Sequence, residues 1–599
     1  MSLRRLPLAV AAIVAAALLP VPVAAAAPGT AARLAPAYRN PLSLRLPGGE
    51  QAASCADPDV LRPSGADRHW YLYCTSDALR ADELGADGTP LIHNVPMFRS
   101  LDLVHWRYVG DAFATKPSWV SGFLWAPDVV HHAGHYLMYY AASDTSLPGG
   151  GSAVGVATSD SPAGPWTDAG APVVAPTMHP NGSGARWEFD PDVIYTGGHA
   201  YLYFGSYFGG VYARELTADG LSSLASTETQ IAIDNRYEGT FVVRHNGWYY
   251  FMGSATNCCN GSLTGYAVFA ARSRSPLGPF LDRDGRSILD PRVGGTPVLV
   301  QNGNRWVGTG HNAVLRDYSG QEWILYHAVD RKHPYYAGDV GYTKRPALLD
   351  PLDWRAGWPT VRGGAGPSAR PLPGPAAQPG ERTAYHPHWV RDARPAKPDR
   401  TLSDGFSGTA LSDRWTWVRP DQADYSVSSG TLQWHTQNAD LHPESGGALA
   451  SVLSERAPRG RYVVETKVRV DFPTDATCCQ NYAQGGLVIY GDDGNYVKLA
   501  SVSIWDTRQT EFGKEITPQP TGYPNYGNTV VGPVGDWTYL RIVHIGDRYT
   551  AYTSLDGRHW DRGGTWTHHL GAHPRIGLVS MGAAGYTSSF DYVRVSRLR

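Results

Sequence analysis

The chain has 599 residues, with 52 Lys and Arg against 54 Asp and Glu and a formal net charge of −2. That balance leaves no electrostatic footprint for nucleic acid or for an anionic membrane surface, and neither partner is expected. The 19 Trp and 34 Tyr stand out instead, because their flat apolar faces with a polar edge suit sugar rings as well as an all-β core.

Residues 1–27 read as a signal peptide: MSLRR is the basic start, LPLAVAAIVAAALL the short apolar centre and VPVAAAA the small-residue exit. Pro20 and Pro22 interrupt the run before it reaches the ~20 apolar residues of a membrane span. A secreted, extracellular protein is expected, long enough for several domains. Cys55 and Cys74 flank two strand-like runs and can pair across a hairpin. The adjacent Cys258-Cys259 and Cys478-Cys479 fit no zinc-ligand spacing and are read as structural. Whether each adjacent pair closes on itself stays open.

Between residues 50 and 350 one pattern recurs five times: an acidic or polar tag, a short strand, a polar turn and a second, aromatic strand. The units open DPDVLRPSG at Asp57, APDVVHHAG at Ala126, DPDVIYTGG at Asp190, EGTFVVRHNG at Glu238 and HNAVLRDYSG at His311. More strand-like sequence follows each, such as SAVGVATSDSPAGPW, giving about four strands per unit. The spacing predicts a five-bladed β-propeller over residues 28–365, with the first strand of each blade lining the channel and the tags converging on one axial spot. A sandwich of ten hairpins is the alternative, and it would not bring the tags together. Residues 366–400 are Pro/Gly-rich and read as a linker or a strap over the surface. Residues 401–599 change to short alternating strands, among them RYVVETKVRV and WTYLRIVHIG, and read as a β-sandwich of jelly-roll type.

Hydrolysis of a glycosidic bond needs one carboxylic acid to protonate the leaving oxygen and one carboxylate to activate water or attack carbon. The converging tags offer Asp57, Asp128, Asp190 and Glu238. Crowded acids push some pKa values up, so that one group stays protonated while another stays ionised. At this point the residues resemble glycoside hydrolase family 43, above all its arabinan-degrading members. CADPDV, LWAPDV, FDPDV with FGSYFGG, YEGTF, NCCNG with AARSRSPLGPF, and GTGHNAV with ILYHAVD stand in that family's order.

The resemblance implies Asp57 as general base, Glu238 as general acid and Asp190 as the group that orients the donor and raises its pKa. It also implies Trp125, Asp128, Ser206 and Phe208 at the sugar site, and His311 as ligand of a central metal, usually calcium with water. Calcium prefers oxygen ligands, and His327 on the adjacent strand competes with His311. Two departures stand out: Asn260-Gly261 occupies the place of a common Arg-Gly, and Ala56 the place of a His that often precedes the first Asp-Pro. The C-terminal part, through DGFSG, RWTWVRP and GGLVIYGDDGNYVKL, resembles the concanavalin-like sandwich of many members, expected to pack on the propeller and rim the cleft.

The expectation is an exported enzyme acting on a polysaccharide or oligosaccharide. It would cleave α-L-arabinofuranosyl linkages of arabinan or related plant polysaccharide by single displacement with inversion. Within the same fold the alternatives are β-xylosidase and galactofuranosidase activity. Retaining sucrose- and fructan-active propellers stand behind these, because no NDPNG-like motif is present. From another class comes a carbohydrate-binding propeller without catalysis, which has no reason to keep three carboxylates that repel one another.

Overall fold

Runs of aromatic and β-branched residues broken by Gly-rich turns build almost the whole chain as strands. The computed structural model describes residues 33–598, apart from 63–64, 180–181, 183, 337–338, 421–423, 444–446, 474–478, 521 and the side chains of 339–341. The expected signal peptide and Cys478 lie outside the described residues.

Five antiparallel sheets form a β-propeller. Their innermost strands are Asp59–Leu61, Leu124–His132, Asp192–Thr196, Tyr237–His245 and Trp306–Arg316. Neighbouring blades pack face to face through alternate apolar residues, as where Leu137, Tyr139 and Val156 of the second blade meet Leu202, Phe204 and Tyr212 of the third. The first blade carries a fifth strand, Ser43–Arg45, which runs parallel to His105–Asp111 and precedes the first tag. The ring closes there, since the N–H groups of Leu42 and Cys55 donate to the carbonyls of Ala347 and Arg345 in the last blade (3.0 Å each). A Cys55–Cys74 disulfide joins the head of the first blade to the end of its second strand.

The repeated tags have a common backbone shape. Asp57, Ala126, Asp190, Gly239 and His311, one per blade, have φ values of 48°, 46°, 53°, 58° and 49°. For the four residues that are not glycine this left-handed conformation is strained by on the order of 1–3 kcal/mol each. The kink turns the N–H off the ladder, and side chains collect it. Thr75 Oγ1 accepts from Ala126 (2.7 Å), Asp190 Oδ2 from Gly239 (2.7 Å), Ser254 Oγ from His311 (2.8 Å) and His327 Nδ1 from Asp57 (3.2 Å).

Two residues on, the second acid of the tag stitches blade to blade. Asp59 accepts the N–H of Val129 (2.9 Å), Asp128 that of Val193 (3.0 Å) and Asp192 that of Val242 (2.9 Å). The two Asp-Pro-Asp tags thus hold two acids with different duties, the first at the kink and the second binding the next blade, while the Ala126 tag keeps only the second.

Two seven-stranded sheets make the sandwich. Its apolar core includes Leu487, Ile489, Leu499, Phe512, Leu540 and Trp566. It is bonded to the propeller: Arg236 Nη1 donates to Gln509 Oε1 (2.6 Å), Gln509 Nε2 to the carbonyl of Asn235 (2.9 Å) and Asn260 Nδ2 to that of Tyr526 (2.9 Å). Between the two, Glu381–Arg382 pairs with Arg33–Leu34, and Ala396 N–H donates to the carbonyl of Arg597 (2.8 Å).

Candidate active site

The kinks aim Asp57, Asp190 and His311 at one axial spot, where Glu238 joins them from the residue before the fourth kink. Asp57 Oδ1 lies 3.1 Å from His311 Nδ1 and 3.3 Å from Arg345 Nη1. Burial alone would raise the Asp57 pKa, but Arg345 and His311 outweigh it and hold the carboxylate well below its usual range. His311 answers in kind. Burial opposes its charge, yet Asp57 and Asp190 lift its pKa to about 9, so it is a cation at neutral pH. His327 is different: burial dominates and lowers it to about 4, leaving a neutral ring whose Nδ1 takes the Asp57 N–H.

Glu238 is pushed the opposite way. Burial and then the nearby Asp190 raise its pKa to about 7, against hydrogen bonds from Tyr266 and Ser206. The Ser206 hydroxyl donates to Glu238 Oε2 at 3.0 Å. Asp190 is itself raised, first by burial, and its Oδ2 grips the N–H of Gly239, the residue after Glu238. It therefore acts on the acid both through charge and through backbone position.

A cavity of about 430 Å³ opens beside Glu238, with Trp187 and Phe208 of the propeller on one side and Gln509 and Asn528 of the sandwich on the other. A second, of about 280 Å³, holds Trp125 and Arg345. Cys258 faces the first cavity and Cys259 the second, and the two are joined in a disulfide. An arc of aromatic rings crosses the mouth. Phe123 stacks near Trp125 (6.4 Å between centroids), Trp125 meets Phe189 (5.4 Å), Phe189 meets Trp187 (5.4 Å) and Trp187 meets Phe208 (4.6 Å). Phe123, Trp187 and Phe208 are exposed, which leaves ring faces for a ligand.

The structure therefore gathers Asp57, Asp190, Glu238, His311 and Ser206 at one centre and puts Trp125 and Phe208 on the cavity walls. Asp128 lies elsewhere. Its carboxylate is buried and engaged with Val193 N–H, where burial and then Asp59 and Asp192 raise its pKa. At His311, where the likeness placed a calcium with water, Nδ1 faces Asp57 Oδ1, and among the described residues no three or more His, Cys, Asp or Glu side chains are grouped to hold a metal ion. Arg345 and Tyr266 are additions that the sequence did not announce. Trp187 and Phe189 could have been found, because they flank the third tag in WEFDPDV.

A buried trio of carboxyl groups on the axis of a propeller, one held ionised and one raised to about 7 beneath an arc of aromatic rings, has the features of a glycoside hydrolase. Residues 51–359 match the family described as Glycosyl hydrolases family 43, and the chain belongs to it. Residues 403–573 match the Beta xylosidase C-terminal Concanavalin A-like domain. The chain is similar to an extracellular exo-α-(1→5)-L-arabinofuranosidase of Cellvibrio japonicus, 29% identical over 53% of this chain and 90% of that one. It is also similar to an extracellular endo-α-(1→5)-L-arabinanase of Bacillus subtilis, 31% identical over 44% of this chain and 79% of the relative. Among solved structures, the α-L-arabinanase of Cellvibrio cellulosa complexed with arabinohexaose is 27% identical over 52% of this chain and 96% of that chain, with a TM-score of 0.42.

Proposed function

We propose that the protein is an exported enzyme that hydrolyses α-L-arabinofuranosyl linkages of arabinan or related polysaccharide, by single displacement with inversion. The observation that carries the chemistry is the opposite tuning of two buried carboxyls. Glu238, raised to about 7, keeps a proton to give to the leaving oxygen. Asp57, held ionised by Arg345 and His311, takes a proton from the attacking water. Asp190 positions the acid through the Gly239 N–H. The choice of arabinan rests on the two curated relatives, both named for α-(1→5)-L-arabinofuranosyl substrates and both extracellular. A second reading, hydrolysis of β-xylosides, draws on the sandwich, whose matching domain is described from a β-xylosidase.

The test is incubation with 4-nitrophenyl α-L-arabinofuranoside, 4-nitrophenyl β-D-xyloside and linear arabinan, with proton NMR of the first-formed sugar. Release from the arabinosides with the anomer inverted is expected. Preference for the xyloside would move the substrate to the second reading, a retained anomer would make Asp57 a nucleophile, and no release would leave a binding protein.

A further inference from the structure

The sandwich carries a third cavity, of about 710 Å³, within the roughly 300–1,000 Å³ typical of ligand pockets. It lies on the outer face of the sheet formed by Gln484–Asp492, Asn495–Ile504, Thr507–Ile516 and Tyr526–Val530. Strand alternation sorts that sheet. Leu487, Leu499 and Phe512 point into the core, while the register puts Gln484, Lys498, Glu511 and Asn528 on the opposite face. Gly486, Ala500 and Gly513 occupy the middle of the same face, and the absence of a side chain at Gly513 lets the Tyr526 ring lie over it.

The floor is polar, buried and connected. Lys498 Nζ donates to Gln484 Oε1 (2.7 Å) and sits 3.4 Å from Glu511 Oε1; Gln484 Nε2 donates to Asp440 Oδ2 (3.2 Å), and the Tyr526 hydroxyl to Glu511. Gln484, Lys498 and Glu511 are only 2–3% exposed. Buried ion pairs are a poor source of stability compared with apolar packing, so their place at the base of an open cavity calls for a ligand. Donors and acceptors alternate there and the charges are paired, which suits a neutral, hydroxyl-rich molecule. The rings of Tyr526 and His442, stacked 5.0 Å apart, add an apolar edge.

Tyr482, Glu511 and Asn528 line both this cavity and the one beside Glu238. A general acid stands on the leaving-group side of the bond it breaks, and here that side is walled by the sandwich. We propose that the sandwich groove binds the leaving-group portion of the substrate, a neutral oligosaccharide chain running from Glu238 over Asn528 and Tyr482 to Gln484, Lys498 and His442. This deepens the glycoside hydrolase reading and rests on it.

The test uses full-length Glu238→Gln protein, which binds without turnover, titrated calorimetrically with arabinobiose and arabinohexaose, and with xylobiose and xylohexaose in parallel. Adding Lys498→Met, which keeps the bulk of the stem, is expected to weaken hexasaccharide binding about tenfold, the loss of one charge-assisted hydrogen bond, and disaccharide binding much less. Should Lys498→Met fail to fold, His442→Ala on the exposed rim supplies the same comparison. An equal fall on both lengths, or none on either, overturns the groove. A length-dependent fall in the xylose series alone keeps it and reassigns the sugar. The readout does not depend on hydrolysis, so a protein inactive on every glycoside but showing the length-dependent fall would refute the catalytic reading and leave the groove standing.

Discussion

Replacing Arg345 by Met takes a partly buried cation from beside the proposed base. Its Nη1 lies 3.3 Å from Asp57 Oδ1, where an effective dielectric near 20 gives an attraction of about 5 kcal/mol. One opposite charge at such range lowers a carboxyl pKa by about 1–3 units, and His311 remains at 3.1 Å to share the task, so the change is expected to fall in that span. The sign follows from the mechanism. Asp57 works ionised, activity is lost as pH falls through its pKa, and removing the cation raises that pKa. The acidic limb of kcat/KM against pH should therefore move up by about 1–3 pH units. The basic limb belongs to Glu238, whose pKa Arg345 does not visibly shape, and should stay near 7. The assay is kcat/KM on 4-nitrophenyl α-L-arabinofuranoside across pH, with Arg345→Lys as the variant that keeps a charge and should restore part of the limb. Losing a cation that also faces Asp77 will lower Tm, so the profile is read at a temperature where the variant is folded. A folded, active Arg345→Met with an unmoved acidic limb would refute the assignment of Arg345 as the group that positions and ionises Asp57.

Other changes probe the remaining parts. Glu238→Gln should cut activity on arabinan by orders of magnitude but much less on aryl glycosides with acidic leaving groups, and equal losses would remove Glu238 from the role of acid. Asp190→Asn removes the charge that helps to raise Glu238, so the basic limb should move to lower pH; an unmoved limb would leave Asp190 as a backbone clasp only. Asp128→Ala orphans the Val193 N–H and should cost about 1–3 kcal/mol of stability, read as a lower Tm, with KM little changed; a raised KM at unaltered Tm would return Asp128 to the sugar site.

The five-fold pattern of tags and aromatic strands was legible because blades repeat the same local problem: a strand with one polar end and alternating apolar faces. That pattern marked Asp57, Asp190 and Glu238, and the family likeness supplied their roles. What it could not separate were the two acids inside a tag. Asp57 and Asp59, two residues apart, look alike in the chain, yet the left-handed kink at Asp57 sends one to the axis and the strand sends the other to Val129 of the next blade. Tertiary structure alone decided this, along with the companions that tune the site. Arg345 reaches Asp57 across 288 positions of sequence, and Tyr266 reaches Glu238 from just before the third strand of its blade; neither carries a local signature. The groove on the sandwich was hidden for the same reason. Alternation foretold that one face of each strand would be buried in the core, but which polar residues of the other face would meet Glu238 was set by how the two domains dock.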